Sequence, residues 1–183
     1  MKYLLTYTES IRNEYEKSSP SEYYIKNKHI YQNPHSDRVK KSLDFLLSKL
    51  NPGYFLDLGC GDGIVSEYLK KKGLSKFKGC DPNFKDIYQE KLGKECIDLS
   101  FEDIAKFGIN EKFETIICSY SLHLCDENFF NLLLYQLSIS CDNLVVISPS
   151  KYPSINETYF KLEEYSIIER THIRIYSSKI NKQ

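Results

Sequence analysis

The sequence predicts an α/β fold on a mostly parallel sheet, and three observations predict it. From about residue 54 onward, short apolar runs alternate with stretches of helical spacing. Those runs show little polar alternation, which suits strands covered by helices on both faces. Residues 165–179 are rich in Tyr, Ile and Thr with no intervening helix, which predicts two strands that pair antiparallel. The 183 residues suit one domain: an arm over 1–35, a core over 36–150, and strands over 151–183 that complete the sheet.

In chain order, residues 1–16 allow an amphipathic helix through Leu4, Tyr7, Ile11 and Tyr15, and residues 17–35 read as an irregular arm. Val39, Leu43, Leu46, Leu47 and Leu50 then recur at helical spacing, with Ser36 or Asp37 placed to cap, and Asn51, Pro52 and Gly53 break the helix. A strand over 54–58 runs into a glycine loop, and Ile64, Val65, Tyr68 and Leu69 mark the helix behind it. Strands follow at 77–80, 95–99, 113–119 and 144–148, with helices at 84–92, 101–107 and 129–139 between them. A short helical stretch is expected near 157–164. The closing hairpin should turn near 170–172, although no glycine or Asn-Gly marks it.

Composition sets limits. With 25 basic and 25 acidic side chains the net charge is zero, which argues against holding a nucleic-acid backbone by bulk electrostatics. The charge is unevenly spread: nine basic and six acidic residues lie in 1–50, ten and fifteen in 51–150, six and four in 151–183. No apolar run approaches the roughly 18 residues of a membrane span, and the apolar start is too short for a secretory signal. The six cysteines form no CxxC pair and read as free thiols of a reducing, cytoplasmic compartment. His123 and Cys125 lie close in sequence, but two residues do not make a zinc site, so no metal is expected.

The informative segment is FLDLGCGDG, residues 55–63. A strand entering three alternating glycines and then a helix lets the backbone pass close to a ligand. Ile64 stands where the dinucleotide fingerprint GxGxxG needs its last glycine, so that fingerprint is incomplete. Asp81 follows the second strand, where a carboxylate either accepts bonds from ribose hydroxyls or caps the strand end before Pro82.

These segments, together with FKGCDP, ECIDLSFEDI and FETIICSYSLHLCDE in order, resemble the class I S-adenosylmethionine-dependent methyltransferases over about residues 36–150. The resemblance implies a Rossmann-like three-layer αβα sandwich, its seven-stranded sheet mostly parallel with an antiparallel last strand. It implies S-adenosylmethionine as cofactor, with Asp57, Gly59, Cys60 and Gly61 on the methionine part and Asp81 on the ribose. Phe101 and Glu102 would border the adenine, beside Ser100 or Asp98. Ser119 and Tyr120 would face the sulfonium and the acceptor. An acidic middle suits a cationic sulfonium better than a pyrophosphate.

The acceptor is less legible. Residues 118–121 are Cys-Ser-Tyr-Ser, without the Asn/Asp-Pro-Pro-Tyr element of many amide and adenine N-methylases. The acid of the ribose 2′-hydroxyl methylases is also missing at this strand. His123 is the candidate general base, or else a packed or capping imidazole. Tyr120 supplies a hydroxyl or an aromatic wall, or else is a core aromatic. Tyr23, Tyr24, Lys26, Lys28, His29, Tyr31 and His35 form a candidate lid, the alternative being that they pack on the sheet. Lys151 and Tyr152 are candidates for the acceptor pocket. Arg170 and Arg174 are read either as ligands of a substrate carboxylate or phosphate or as surface salt bridges. The expected reaction is methyl transfer to a small or medium-sized acceptor. The alternatives are an RNA or protein acceptor, with a partner subunit, and a catalytically silent scaffold.

Overall fold

The computed structural model describes residues 35–50 and 53–181. The expected N-terminal helix over 1–16 and the lid candidates Tyr23, Tyr24, Lys26, Lys28, His29 and Tyr31 lie outside the described residues. The elements are α1 (Ser36–Leu47), β1 (Phe55–Leu58), α2 (Ile64–Lys71), β2 (Phe77–Cys80), α3 (Lys85–Leu92), β3 (Cys96–Ile97) and α4 (Phe101–Phe107). After them come β4 (Phe113–Ser119), a 3₁₀ turn (Leu122–Leu124), α5 (Glu127–Ser140), β5 (Cys141–Ser148), β6 (Phe160–Ile168) and β7 (Thr171–Ser178).

The sheet has seven strands in the order β3-β2-β1-β4-β5-β7-β6. β1 to β5 run parallel, and β7 runs antiparallel to both β5 and β6. This is the predicted α/β architecture with its antiparallel last strand. The continuous apolar runs follow from burial on two faces. In β4, Ile116 and Cys118 pack towards α4 and α5, while Ile117 packs towards α1 and α2. In β5, Leu144 and Val146 face the first side, and Val145 and Ile147 the second. Strand order reverses between β1 and β4, so the loops at the carboxyl ends of β1, β2, β4 and β5 share one edge of the sheet.

Local chemistry sets the helix ends. Ser100 and Asp103 form a reciprocal capping box on α4, and the Asp126 side chain accepts from the Asn128 amide at the start of α5. The expected cap of α1 by Ser36 or Asp37 is not formed. His35 stands at the N-cap position with no side-chain cap bond, Ser36 is already helical, and Asp37 pairs with Lys40 at 3.8 Å.

Two expectations in the tail are corrected. Residues 157–159 form a turn and Phe160–Ile168 is a strand, not a helix. Glu157, Lys161 and Glu164, at four- and three-residue spacing, imitate a helix. Phe160 is nonetheless fixed in the core, and β6 is an edge strand whose other residues are largely exposed. The hairpin turns at Glu169 and Arg170, not at 170–172. Both residues hold left-handed backbone, φ 47° and 66°, where Asn or Gly is usual. The pairing of β6 with β7 and the ion pair of Lys41 with Glu169 oppose that strain.

Candidate active site

The glycine loop is built by the two strands beneath it. The amides of Gly59 and Cys60 both donate to the Cys80 carbonyl, at 2.8 and 3.1 Å, which ties the end of β1 to the end of β2. Gly59 has φ +65°, and a Cβ placed there would lie 2.4 Å from Ser121 Oγ and 3.4 Å from the Phe101 ring. Only glycine fits between those two side chains.

Asp57 is buried, and its Oδ2 accepts from the amide and the hydroxyl of Ser66 at 3.1 and 2.8 Å. The Ser66 hydroxyl accepts in turn from Tyr88 at 2.6 Å. Burial pushes the Asp57 carboxyl up to about 7, against the two Ser66 bonds that favour its ionised form. Asp57 therefore braces the loop against α2 and α3. Asp81 ties the same loop to α3: its Oδ2 accepts from the Gly61 amide at 3.0 Å, and its Oδ1 from the amides of Asn83 and Phe84 at 2.8 and 3.1 Å. Burial raises the Asp81 carboxyl as well. The strand-end cap is thus real. A carboxylate has about four acceptor sites and Asp81 uses three, so capacity for a ribose hydroxyl remains.

The Cys60 side chain turns away from the loop's open side, with its Sγ 3.8 Å from Cys96 Sγ in a small cluster with Tyr88 and Leu92. Its backbone alone is available there. The Phe101 ring lies against Gly59, and Glu102 accepts a long bond from the Asp126 amide at 3.4 Å. The Ser100 hydroxyl is committed to its capping box, and exposed Asp98 lies 3.8 Å from Lys85.

At the end of β4 the chain makes a sharp departure. Ser119 is buried and its hydroxyl has no partner. Tyr120 adopts φ 56°, a conformation costly for a bulky residue. Its amide donates to the Ile147 carbonyl, its hydroxyl shares a 2.7 Å bond with Thr171 Oγ1, and its ring stacks on His35 with centroids 4.5 Å apart. Partial burial and the nearby Arg38 charge lower the His35 imidazole. The Tyr120 hydroxyl is therefore engaged, and its ring packs between His35 and the core on the α1 and α2 side of the sheet. His123 is exposed on the 3₁₀ turn, and neighbouring Cys125 is buried. Among the described residues no group of three or more His, Cys, Asp or Glu could hold a metal ion, and no helix is long and apolar enough to cross a membrane. All six cysteines are free thiols.

Sequence reasoning missed Ser121. Its hydroxyl donates to the Leu58 carbonyl at 3.3 Å and fills the space a side chain on residue 59 would need. No local pattern marks it.

The arrangement fits S-adenosylmethionine. An open glycine cradle, a buried carboxylate with spare acceptor capacity, and an orphan hydroxyl at the end of β4 suit an amino acid, a ribose and a sulfonium. Lys91, the lysine that reaches the loop, is engaged there by the Asp62 carbonyl at 2.9 Å and the Asp62 carboxylate at 3.7 Å.

Comparison with known proteins agrees. A family model described as a methyltransferase domain matches residues 30–179. The ribosomal protein L11 methyltransferase of Thermosipho africanus is 29% identical over 140 residues, 73% of this chain and 50% of that protein, so the chain spans half its length. The N-methyltransferase NodS of Bradyrhizobium japonicum, solved with S-adenosyl-L-homocysteine, superposes with a TM-score of 0.68 at 15% identity, over 91% of this chain and 99% of that one. The magnesium protoporphyrin IX methyltransferase of Synechocystis, solved with bound S-adenosylmethionine, gives 0.64 at 16% identity, over 92% and 96%. The chain belongs to the methyltransferase-domain family and is a class I S-adenosylmethionine-dependent methyltransferase.

Proposed function

We propose that the enzyme methylates a small or medium-sized acceptor. The observation that carries this reading is the wall at the end of β4, where Tyr120 stacks on His35 and is latched to Thr171 beside the orphan hydroxyl of Ser119. A fixed aromatic wall next to the reaction position suits a compact acceptor. NodS and the protoporphyrin methyltransferase keep the same fold over nearly the whole chain.

When bound, S-adenosylmethionine supplies a methyl group on a sulfonium that is already a good leaving group. The protein's work is then alignment and exclusion of water. Gly59, Gly61 and the Cys60 backbone receive the methionine part, with Asp57 holding the loop in place. Asp81 would accept from one ribose hydroxyl, and Phe101 and Glu102 would border the adenine. Ser119 orients groups at the transfer position. His123 takes the proton when the nucleophile arrives protonated.

Transfer of radiolabelled methyl into a cell lysate fractionated into RNA, protein and small molecules tests the acceptor class. Label in the small-molecule fraction is expected, and label confined to RNA or protein would overturn the reading. The ribose assignment is tested by Asp81→Ala, which should weaken S-adenosylhomocysteine at least tenfold by calorimetry. Because Asp81 also bonds Gly61 and α3, the folded state of the variant is confirmed by circular dichroism. Unchanged affinity refutes the assignment.

A further inference from the structure

Among the described residues, Arg174 is a buried cation with no carboxylate partner. It is 5% exposed, and its terminal nitrogens donate to the carbonyls of Lys151 and Pro153 at 2.8 and 2.7 Å and to the Ser148 hydroxyl at 3.1 Å. Every acceptor is neutral, and Nε has no partner. Among the described residues no carboxylate lies within ion-pair distance of it, so of the two sequence readings the surface salt bridge is excluded for this arginine. Removing a charge from water without neutralising it is costly, and such groups concentrate where their charge is used.

Its place in the sheet says where that charge acts. Arg174 pairs with Val146 and His172 with Ser148, at the carboxyl end of β5. Ser119 pairs with Ile147 on the adjoining strand. The loop from Ser148 to Pro153 therefore leaves the sheet one strand away from the orphan hydroxyl and wraps the guanidinium. Two of its carbonyls turn inward to Arg174, so the opposite ends of those peptide dipoles turn away from it: the Tyr152 amide donates to Ser150 Oγ at 3.2 Å, and the other amide is that of exposed Ser154. Exposed Lys151 lies over the Tyr152 ring at 5.5 Å and has no carboxylate partner among the described residues.

The site edge is consequently polarised. Its cofactor half carries Asp57, Asp62, Asp81 and Asp98. Of these, Asp62 and Asp98 are paired with Lys91 and Lys85, which leaves the buried Asp57 and Asp81 as the acids of that half without a lysine partner among the described residues. Its other half carries Lys151, Arg170 and Arg174, and there Asp37 and Glu169 are paired with Lys40 and Lys41. We infer that the methyl acceptor is an anion whose carboxylate or phosphate is held by the 148–153 loop, with Arg174 beneath it and Lys151 at its rim. This rests on the methyltransferase reading and adds the charge class of the acceptor. Acidic residues around the cofactor and cations around the acceptor keep each ligand in its own half.

The test uses the full chain saturated with S-adenosylhomocysteine, followed by proton–nitrogen NMR at fixed ionic strength. Inorganic phosphate and succinate are titrated separately against a chloride control. Saturable shifts of the Tyr152 and Ser154 amides are expected with at least one of the two, and the stronger arm identifies phosphate or carboxylate as the preferred group. Lys151→Ala should weaken that binding at least fivefold, while Lys161→Ala on β6 leaves it unchanged. Absence of saturable shifts, shifts matched by chloride, or equal weakening in both variants overturns the inference. The Gly59 and Gly61 amides report homocysteine-nucleoside binding in the same sample. If they do not move, the methyltransferase reading fails; if they move and the anion arm is silent, only this inference fails.

Discussion

Replacing Asp57 by asparagine should make the protein more stable at alkaline pH and leave it nearly unchanged in acid. Asparagine keeps a carbonyl oxygen for both Ser66 bonds but cannot ionise. The carboxyl titrates at about 7 in the folded chain, against 3.8 as its ordinary value. Between those values the folded state holds the proton more tightly than the unfolded state, so stability falls as pH rises. The contribution is fully present below 3.8 and lost above 7, and its full size is about 4 kcal/mol. About 3 kcal/mol of that falls between pH 5 and pH 8. Asp62 and Asp81 are also raised by burial and titrate in both proteins, and their repulsion of the Asp57 carboxylate is part of what asparagine removes. Urea unfolding of wild type and Asp57→Asn at both pH values gives that difference directly. The same pH slope in the two proteins would refute the account of Asp57 as a carboxyl raised by burial.

Gly59→Ala places a Cβ 2.4 Å from Ser121 Oγ and holds alanine at φ +65°; the backbone cost alone is about 1–2 kcal/mol. Calorimetry with S-adenosylhomocysteine should show at least a tenfold loss, partly restored by adding Ser121→Gly. A silent Gly59→Ala would mean that the loop has room to spare. Tyr120→Phe removes the bond to Thr171 but keeps the ring, so stability should drop by about 1 kcal/mol in urea with cofactor affinity unchanged. His123→Asn should lower turnover at least tenfold with cofactor affinity unchanged, and full activity would assign the imidazole to structure.

The parallel sheet was legible because strands buried on two faces must be apolar throughout, as Ile116, Ile117 and Cys118 are. β6 was not, because an edge strand with Lys161, Glu163 and Glu164 on open sides carries no such demand. The hairpin turn was expected near 170–172 and its position was not fixed, because Glu169 and Arg170 occupy left-handed backbone that glycine or asparagine normally announces. The glycine loop and Asp81 were legible because neighbours in sequence build them. Tyr120, Ser121 and Arg174 were less so, since their partners lie at Thr171, Leu58 and the 148–153 loop. Contacts across 51 or 63 residues leave no local mark.

The strand order also dictates a sequence of events in time. Closing the sheet's centre joins β1 to β4, and the contact between Leu58 and Ser121 spans 63 residues, so this step pays a large loop-closure entropy before its packing is gained. The β6–β7 hairpin needs only a two-residue turn. β7 is nevertheless the strand wedged between β5 and β6, so β5 keeps an unpaired edge until residues 171–178 leave the ribosome. A chain truncated within β7 would expose Leu144 to Ile147 as a bare apolar edge, and aggregation rather than a smaller working enzyme is its expected fate.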